Sequence, residues 1–207
     1  METLHTWLSR IYDVEAIVRW GGTAMICAIV FAETGLMVGF FLPGDSLLVT
    51  AGIFTAAGHL DLYPLLILVL LCAVVGDQLG YCIGRKSGPL LFTREDSWLF
   101  KRSHLLRAAA FYKKYGAKTI VLARFVPIVR TFAPVVAGIG QMDYRRFVRC
   151  NLFGGALWVV SMILTGRLIG SAVPNIHRHV HIVVGVVIVL SILPAIIEAI
   201  RAHRSEN

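Results

Sequence analysis

The sequence predicts an all-α polytopic membrane protein: inverted repeats, each a re-entrant broken hairpin plus a spanning helix, with an interfacial amphipathic helix between them and a C-terminal spanning helix. Three observations lead there. The 207-residue chain is 57% hydrophobic and only 15% charged, with a mean hydropathy of +0.74, too apolar for a soluble domain. Its apolar residues fall into long runs and into short ones punctuated by Pro and Gly. A set of landmarks in the first half also recurs in the second.

Residues 1–20 form an N-terminal amphipathic or juxtamembrane segment. It carries Glu2, Asp13 and Glu15 before any long apolar run, so it lacks the basic-then-apolar order of a cleaved signal peptide. Residues 21–42 are long enough to span a bilayer, as are 64–84 and 182–200, with the Gly-rich run 151–170 a fourth candidate. The apolar stretches within 42–58 and 125–141 are shorter, and Pro and Gly interrupt them. Such segments suit re-entry, because broken backbone survives at membrane depth only where it is buried in protein or lines a wet cavity. Between them, 86–118 reads as a cytoplasmic amphipathic segment, with Trp98, Leu105, Ala109 and Tyr112 opposite Arg107, Lys114 and Lys118. Residues 21–170 thus form one membrane domain, and 171–207 hold an external loop, the last span and a tail.

Lys and Arg set the orientation. They concentrate before the first run, through the middle segment, before the fourth run and at the chain end, which places the N- and C-termini in the cytoplasm. The same distribution, with contact to anionic lipid, accounts for the net charge of +8 without nucleic acid. Cys27, Cys72, Cys82 and Cys150 show no metal-type spacing and read as packing residues.

The repeat pairs Leu42-Pro43 with Val126-Pro127, Ala51-Gly52 with Ala137-Gly138, Gly58 with Gly140, Asp61 with Asp143, and Gly84-Arg85 with Gly166-Arg167. The last three pairs keep an offset of 82 residues. Asp61 falls outside and Asp143 inside on the charge argument, so the halves have opposite topology, and inverted repeats meeting at broken helices belong to transporters.

Four ionisable residues lie inside these membrane segments: Glu33, Asp45, Arg124 and Arg130. An intramembrane charge is costly and marks a functional site whose charges face a cavity or each other. Glu33 and Asp45, like Arg124 and Arg130, would point roughly 120° apart on an unbroken helix, so convergence requires the breaks offered by Pro43, Gly44, Pro127 and Pro134. Arg124 and Arg130 offer planar forks of donors suited to a phosphate head group. Glu33 and Asp45 are the members able to exchange a proton. Ser46 and Thr131 are secondary candidates. Asp77 is another, beside the small-residue stripe Gly76, Gly80, Gly84 and Gly88 that reads as a close helix-packing face. The competing reading is a structural salt-bridge network joining two hairpins. His177, His179 and His181 read as an interfacial loop, with a pH sensor or a metal site as the alternative. No nucleophile elbow, zinc helix motif or P-loop is present, so neither an enzyme, a cofactor nor a metal centre is expected.

At Glu33-Thr34-Gly35, Phe41-Leu42-Pro43-Gly44-Asp45-Ser46-Leu47-Leu48, Gly76-Asp77, and the run from Ala123-Arg124-Phe125 through Arg130-Thr131-Phe132-Ala133-Pro134 to Ala137-Gly138, the chain resembles the DedA family of bacterial inner-membrane proteins. That family shares a domain with eukaryotic lipid scramblases of the endoplasmic reticulum. The spacing suggests a member close to the family's namesake. The resemblance implies two re-entrant hairpins and a flippase that returns undecaprenyl phosphate from the outer to the inner leaflet using the proton motive force. It maps the essential acids onto Glu33 and Asp45 and the essential arginines onto Arg124 and Arg130. The partners so implied are a polyprenyl phosphate lipid and protons, and assembly into a homo-oligomer is compatible with the chain. Two other readings stay open: a proton-coupled exporter of small cations or drugs, and a non-transporting membrane-homeostasis factor whose charges are structural.

Overall fold

The computed structural model describes residues 14–35, 44–93 and 118–172, all of whose regular elements are helices. These are α1 (Val14–Gly35), α2 (Gly44–Ala56), α3 (Leu62–Thr93), α4 (Lys118–Ala123), α5 (Pro127–Ile139) and α6 (Tyr144–Ala172). The first thirteen residues, Pro43, most of the expected amphipathic segment, and the last span with His177, His179 and His181 lie outside the described residues.

Two helices are long and apolar enough to cross a membrane, Leu62–Gly88 within α3 and Tyr144–Ala172. Both exceed the expected spans. Asp143 explains the early start of α6: its Oδ1 accepts the Arg146 N–H at 2.9 Å, a side-chain N-cap that brings Arg145, Arg146 and Arg149 into the helix. At the other end of α3, Gly84-Arg85 does not stop the helix, which runs on to Thr93 and takes in the start of the segment expected to lie on the membrane surface. Each spanning helix leaves an apolar stripe exposed at helical spacing, Ile67, Leu71, Val75, Leu79 and Ile83 on α3 and Phe153, Leu157, Val160, Leu164 and Leu168 on α6. Stripes of this extent are lipid-facing surface in a membrane protein.

Helices α2 and α5 have 13 residues each, about 20 Å at helical rise and short of the roughly 30 Å hydrocarbon core. α2 buries every residue from Gly44 to Thr55, as a helix apolar on all sides must. The break before α5 falls at Arg124, Phe125 and Val126, and Pro127 opens the helix at a position whose N–H has no intrahelical partner to lose. Pro134, expected to be a break, is a correction: it lies inside α5. Only the bond to the Arg130 carbonyl is forgone there, and the ring packs toward Gly80 of α3, where a Cβ would stand in ordinary contact at 3.4 Å from Pro134 Cβ.

The helices divide between two compact units. One is drawn from Met1–Val30, Phe41–Cys72 and Val159–Asn207, the other from Phe31–Phe40 and Ala73–Trp158. In the first, α2 crosses the end of α6 backbone to backbone: a Cβ on Gly52 would stand 2.2 Å from the Ile163 carbonyl oxygen, and one on Gly166 would stand 2.0 Å from that of Val49. In the second, α5 crosses α3 in the same way, with Gly138 at 2.2 Å from the Tyr81 oxygen and Gly84 at 2.0 Å from that of Val135. Only glycine permits these approaches.

Both short helices end in a Schellman turn. His59 and Gly58 donate to the Phe54 and Thr55 carbonyls, with Gly58 left-handed at φ 75° and the His59 ring against Phe54. Met142 and Gln141 donate likewise to Ala137 and Gly138, but the left-handed residue there is Gln141, at φ 52°. The sequence pairing of Gly58 with Gly140 is therefore one residue out. The second unit's core is Tyr81, Ile120, Ala137 and Phe147, with Tyr81 stacked on Phe147 at 4.4 Å and its hydroxyl bonded to the Met142 carbonyl and to Arg85.

Candidate functional site

The second unit gathers charged side chains from four helices or turns and neutral partners from a fifth. The last turn of α1 supplies Glu33 and Thr34, α3 supplies Asp77, and the turn after α4 supplies Arg124. The start of α5 supplies Arg130 and Thr131, and α6 supplies Asn151 and Trp158. All are buried. The break at residues 124–126 is what lets Arg124 and Arg130 serve one cavity, since an unbroken helix would splay them.

Arg130 Nη2 donates to Glu33 Oε1, and its guanidinium carbon lies 4.8 Å from the centre of the Trp158 ring, in cation–π contact. Arg124 Nη2 donates to Asp77 Oδ2 and to Asn151 Oδ1. Asn151, wholly buried, donates in turn from Nδ2 to the Val74 carbonyl at 3.2 Å. Gly154 leaves room for the stem of Arg124, as a Cβ there would stand 3.2 Å from Arg124 Cδ. Small residues also bring α1 onto α3, with a Cβ on Gly35 falling 3.2 Å from Gly76 Cα.

Each of these two guanidinium–carboxylate pairs is neutral in itself, the condition under which buried charges are tolerated. The cavity that Glu33, Thr34, Asp77, Arg124, Arg130, Thr131 and Trp158 line holds about 10 Å³, room for one water at most. The site is closed upon its own ion pairs. What it can do chemically is exchange partners: either arginine can take an oxyanion in place of its carboxylate, and either carboxylate can take a proton in place of its arginine.

Of the residues the sequence singled out, the structure brings together Glu33, Asp77, Arg124, Arg130 and Thr131. The carboxylate on Arg124 is that of Asp77, which the sequence ranked second. Asp45 and Ser46 are buried in the first turn of α2, in the other unit, where the acid suits the positive end of the helix. Asn151 and Trp158 escaped the sequence reading. Asn151 had a signal, as the amide that opens an otherwise apolar run; Trp158 had none that separates it from a core aromatic. Among the described residues no three His, Cys, Asp or Glu side chains stand close enough to hold a metal ion, and the four cysteines are free thiols.

The model of the VTT domain matches residues 42–168. Protein DedA of Escherichia coli is 46% identical over 184 residues, covering 88% of this chain and 84% of that protein. An uncharacterized membrane protein of Mycobacterium tuberculosis is 44% identical over 88% of this chain and 80% of its own. Inner membrane protein YghB of Escherichia coli is 34% identical over 73% of this chain and 69% of its own. No solved structure matches the chain.

Proposed function

Because the chain belongs to the DedA family of VTT-domain membrane proteins, we propose that it is a flippase of the bacterial inner membrane. Its cargo in this reading is an anionic polyprenyl phosphate carrier, undecaprenyl phosphate on the family resemblance, returned from the outer to the inner leaflet with proton coupling. The observation that carries the reading is the pair of buried arginines, each held by a carboxylate, in one closed cavity of a membrane protein.

A phosphate head group crosses hydrocarbon unaided only at great cost. Two guanidinium forks replace its water, while the polyprenyl tail stays in lipid. A carboxylate displaced from its arginine is stabilised by taking a proton, which ties head-group entry to protonation. In this reading Arg124 and Arg130 bind the head group, Glu33 takes a proton as it leaves Arg130, and Asp45, at the start of α2 in the other unit, is the second proton carrier. No covalent step is required, so the protein works without enzymatic chemistry or a cofactor. The sub-spanning lengths of α2 and α5 and their matched glycine crossings support re-entrant segments in inverted repeats, and the Lys/Arg distribution supports cytoplasmic termini.

Purified protein in liposomes tests the reading. It should exchange polyprenyl phosphate between leaflets faster than neutral or zwitterionic lipid, and a pH gradient should drive net movement. Equal rates for all lipids, or exchange indifferent to the gradient, would count against it.

A further inference from the structure

One nitrogen of Arg124 serves two acceptors of different kinds. Nη2 donates to the Asp77 carboxylate and to the Asn151 amide oxygen. Asn151 is fixed from its other end, because Nδ2 donates to the Val74 carbonyl on α3, so its oxygen must face the guanidinium. A carboxylate changes charge with protons and an amide does not. Arg124 is therefore held by one grip that titrates and one that does not. Its Nε is also buried with no hydrogen-bond partner, leaving donor capacity for a further acceptor. The cavity of about 10 Å³ cannot admit a phosphate group while Asp77 and Glu33 occupy the arginines.

We propose that Asp77 is an exchange partner that releases Arg124 to an incoming phosphate head group, and that Asn151 is the positioning residue that keeps Arg124 in place during the exchange. The inference rests on the anionic head-group reading of this site. In the exchange the phosphate oxyanion takes the place of the Asp77 carboxylate on Arg124, and the carboxylate accepts one proton to become a neutral acid. With the head group bound as its monoanion, one positive charge then still faces one negative charge. Without that proton a buried negative charge would stand uncompensated, which the dry cavity opposes. The charged groups sharing the cavity with Asp77 are Arg124 from the turn after α4, Arg130 from α5 and Glu33 from α1, while Thr34, Thr131, Trp158 and Asn151 add only neutral groups. Head group and proton therefore enter together, and Asn151, indifferent to pH, preserves the binding fork throughout.

The experiment uses the full chain in lipid nanodiscs with farnesyl phosphate as the probe, reading affinity from mildly acidic to mildly alkaline pH and proton uptake by a pH indicator in weak buffer. The parent should take up protons as it binds. Asp77→Asn should bind with about one proton fewer per probe and a flatter pH profile. Asn151→Ala should keep the parent's proton count and pH slope but bind about tenfold more weakly at every pH, the value of one hydrogen bond to a charged group. Asn151→Asp places a second titrating grip on Arg124 and should steepen the fall in affinity toward alkaline pH. It carries the test of exchange should Asp77→Asn fail to fold. Parent-like proton uptake by Asp77→Asn, or an unchanged slope in Asn151→Asp, overturns the exchange. Parent-like affinity in folded Asn151→Ala overturns the positioning role. A parent that binds the probe without proton uptake overturns the exchange alone, whereas a parent that does not bind it removes the head-group reading and this inference with it.

Discussion

The two units share a scaffold and differ in charge. Each holds a 13-residue helix against a spanning helix through a pair of glycines, Gly52 with Gly166 and Gly138 with Gly84, and each ends its short helix in a Schellman turn. Aligned on those glycines, the start of α5 carries Arg130 and Thr131 where the start of α2 carries Gly44 and Asp45. The second unit then adds Arg124, Asp77 and Glu33. The shared features fix backbone against backbone and leave no room for variation. The features that differ are polar, sit at the opposite end of the short helix from its Schellman turn, and are where chemistry can be placed on a common frame.

The largest expected effect tests that distinction in the second unit. Arg124→Leu or Arg130→Leu removes one member of a buried pair and strands a carboxylate, which should destabilise the protein by about 3–5 kcal/mol. Hydrogen exchange should show α5 losing more protection than α2. Equal loss in both short helices would mean that the charges stabilise the whole frame rather than one unit.

The glycine crossings come next. Gly84→Ala and Gly166→Ala each drive a Cβ to 2.0 Å from a carbonyl oxygen, so each should cost about 3 kcal/mol, the upper end of the range for inserted methylene groups. Thermal melts in detergent should give the two variants similar losses. A tolerated substitution at one site alone would break the equivalence of the crossings.

The caps give the smallest effect and the finest comparison. Gln141→Gly relieves a left-handed non-glycine residue and should stabilise by about 0.5–1 kcal/mol, whereas Gly58→Gln should destabilise by a similar amount. Opposite signs in the two melts are the expected result. A neutral Gly58→Gln would show that the left-handed turn is not what ends α2.

How much of this was legible in the sequence follows from what each residue reports. Charge inside an apolar run is visible without coordinates, so Glu33, Asp45, Arg124 and Arg130 stood out; Glu33 and the two arginines line one cavity, while Asp45 lies at the start of α2 in the other unit. Glycines at i, i+4 spacing likewise announced the packing face of α3, and the pairing of Ala51-Gly52 with Ala137-Gly138 named the residues that make matching crossings. The partner of each charge was not legible. Asp77 takes Arg124 because α3 passes the turn after α4, a tertiary fact that spacing along the chain does not encode. Asn151 was overlooked because one amide in an apolar helix looks like a tolerated polar residue until its oxygen is seen on a guanidinium. Pro134 misled because a proline removes only one intrahelical bond, a loss that a helix buried inside a membrane protein absorbs without ending.

The central claim is that the arginine and acid set binds a phosphate head group and couples it to protons, and four conservative substitutions test it most directly. Arg124→Lys and Arg130→Lys keep the charge but lose the planar fork, while Glu33→Gln and Asp45→Asn keep the shape but lose the titration. Each variant, first checked for parental thermal stability, is assayed for leaflet exchange of polyprenyl phosphate in liposomes as pH is varied. The account predicts that both Lys variants lose binding and transport, and that the amide variants still bind but have a flatter pH dependence of transport, the part carried by Asp77 remaining. Parental transport by the Lys variants would contradict it.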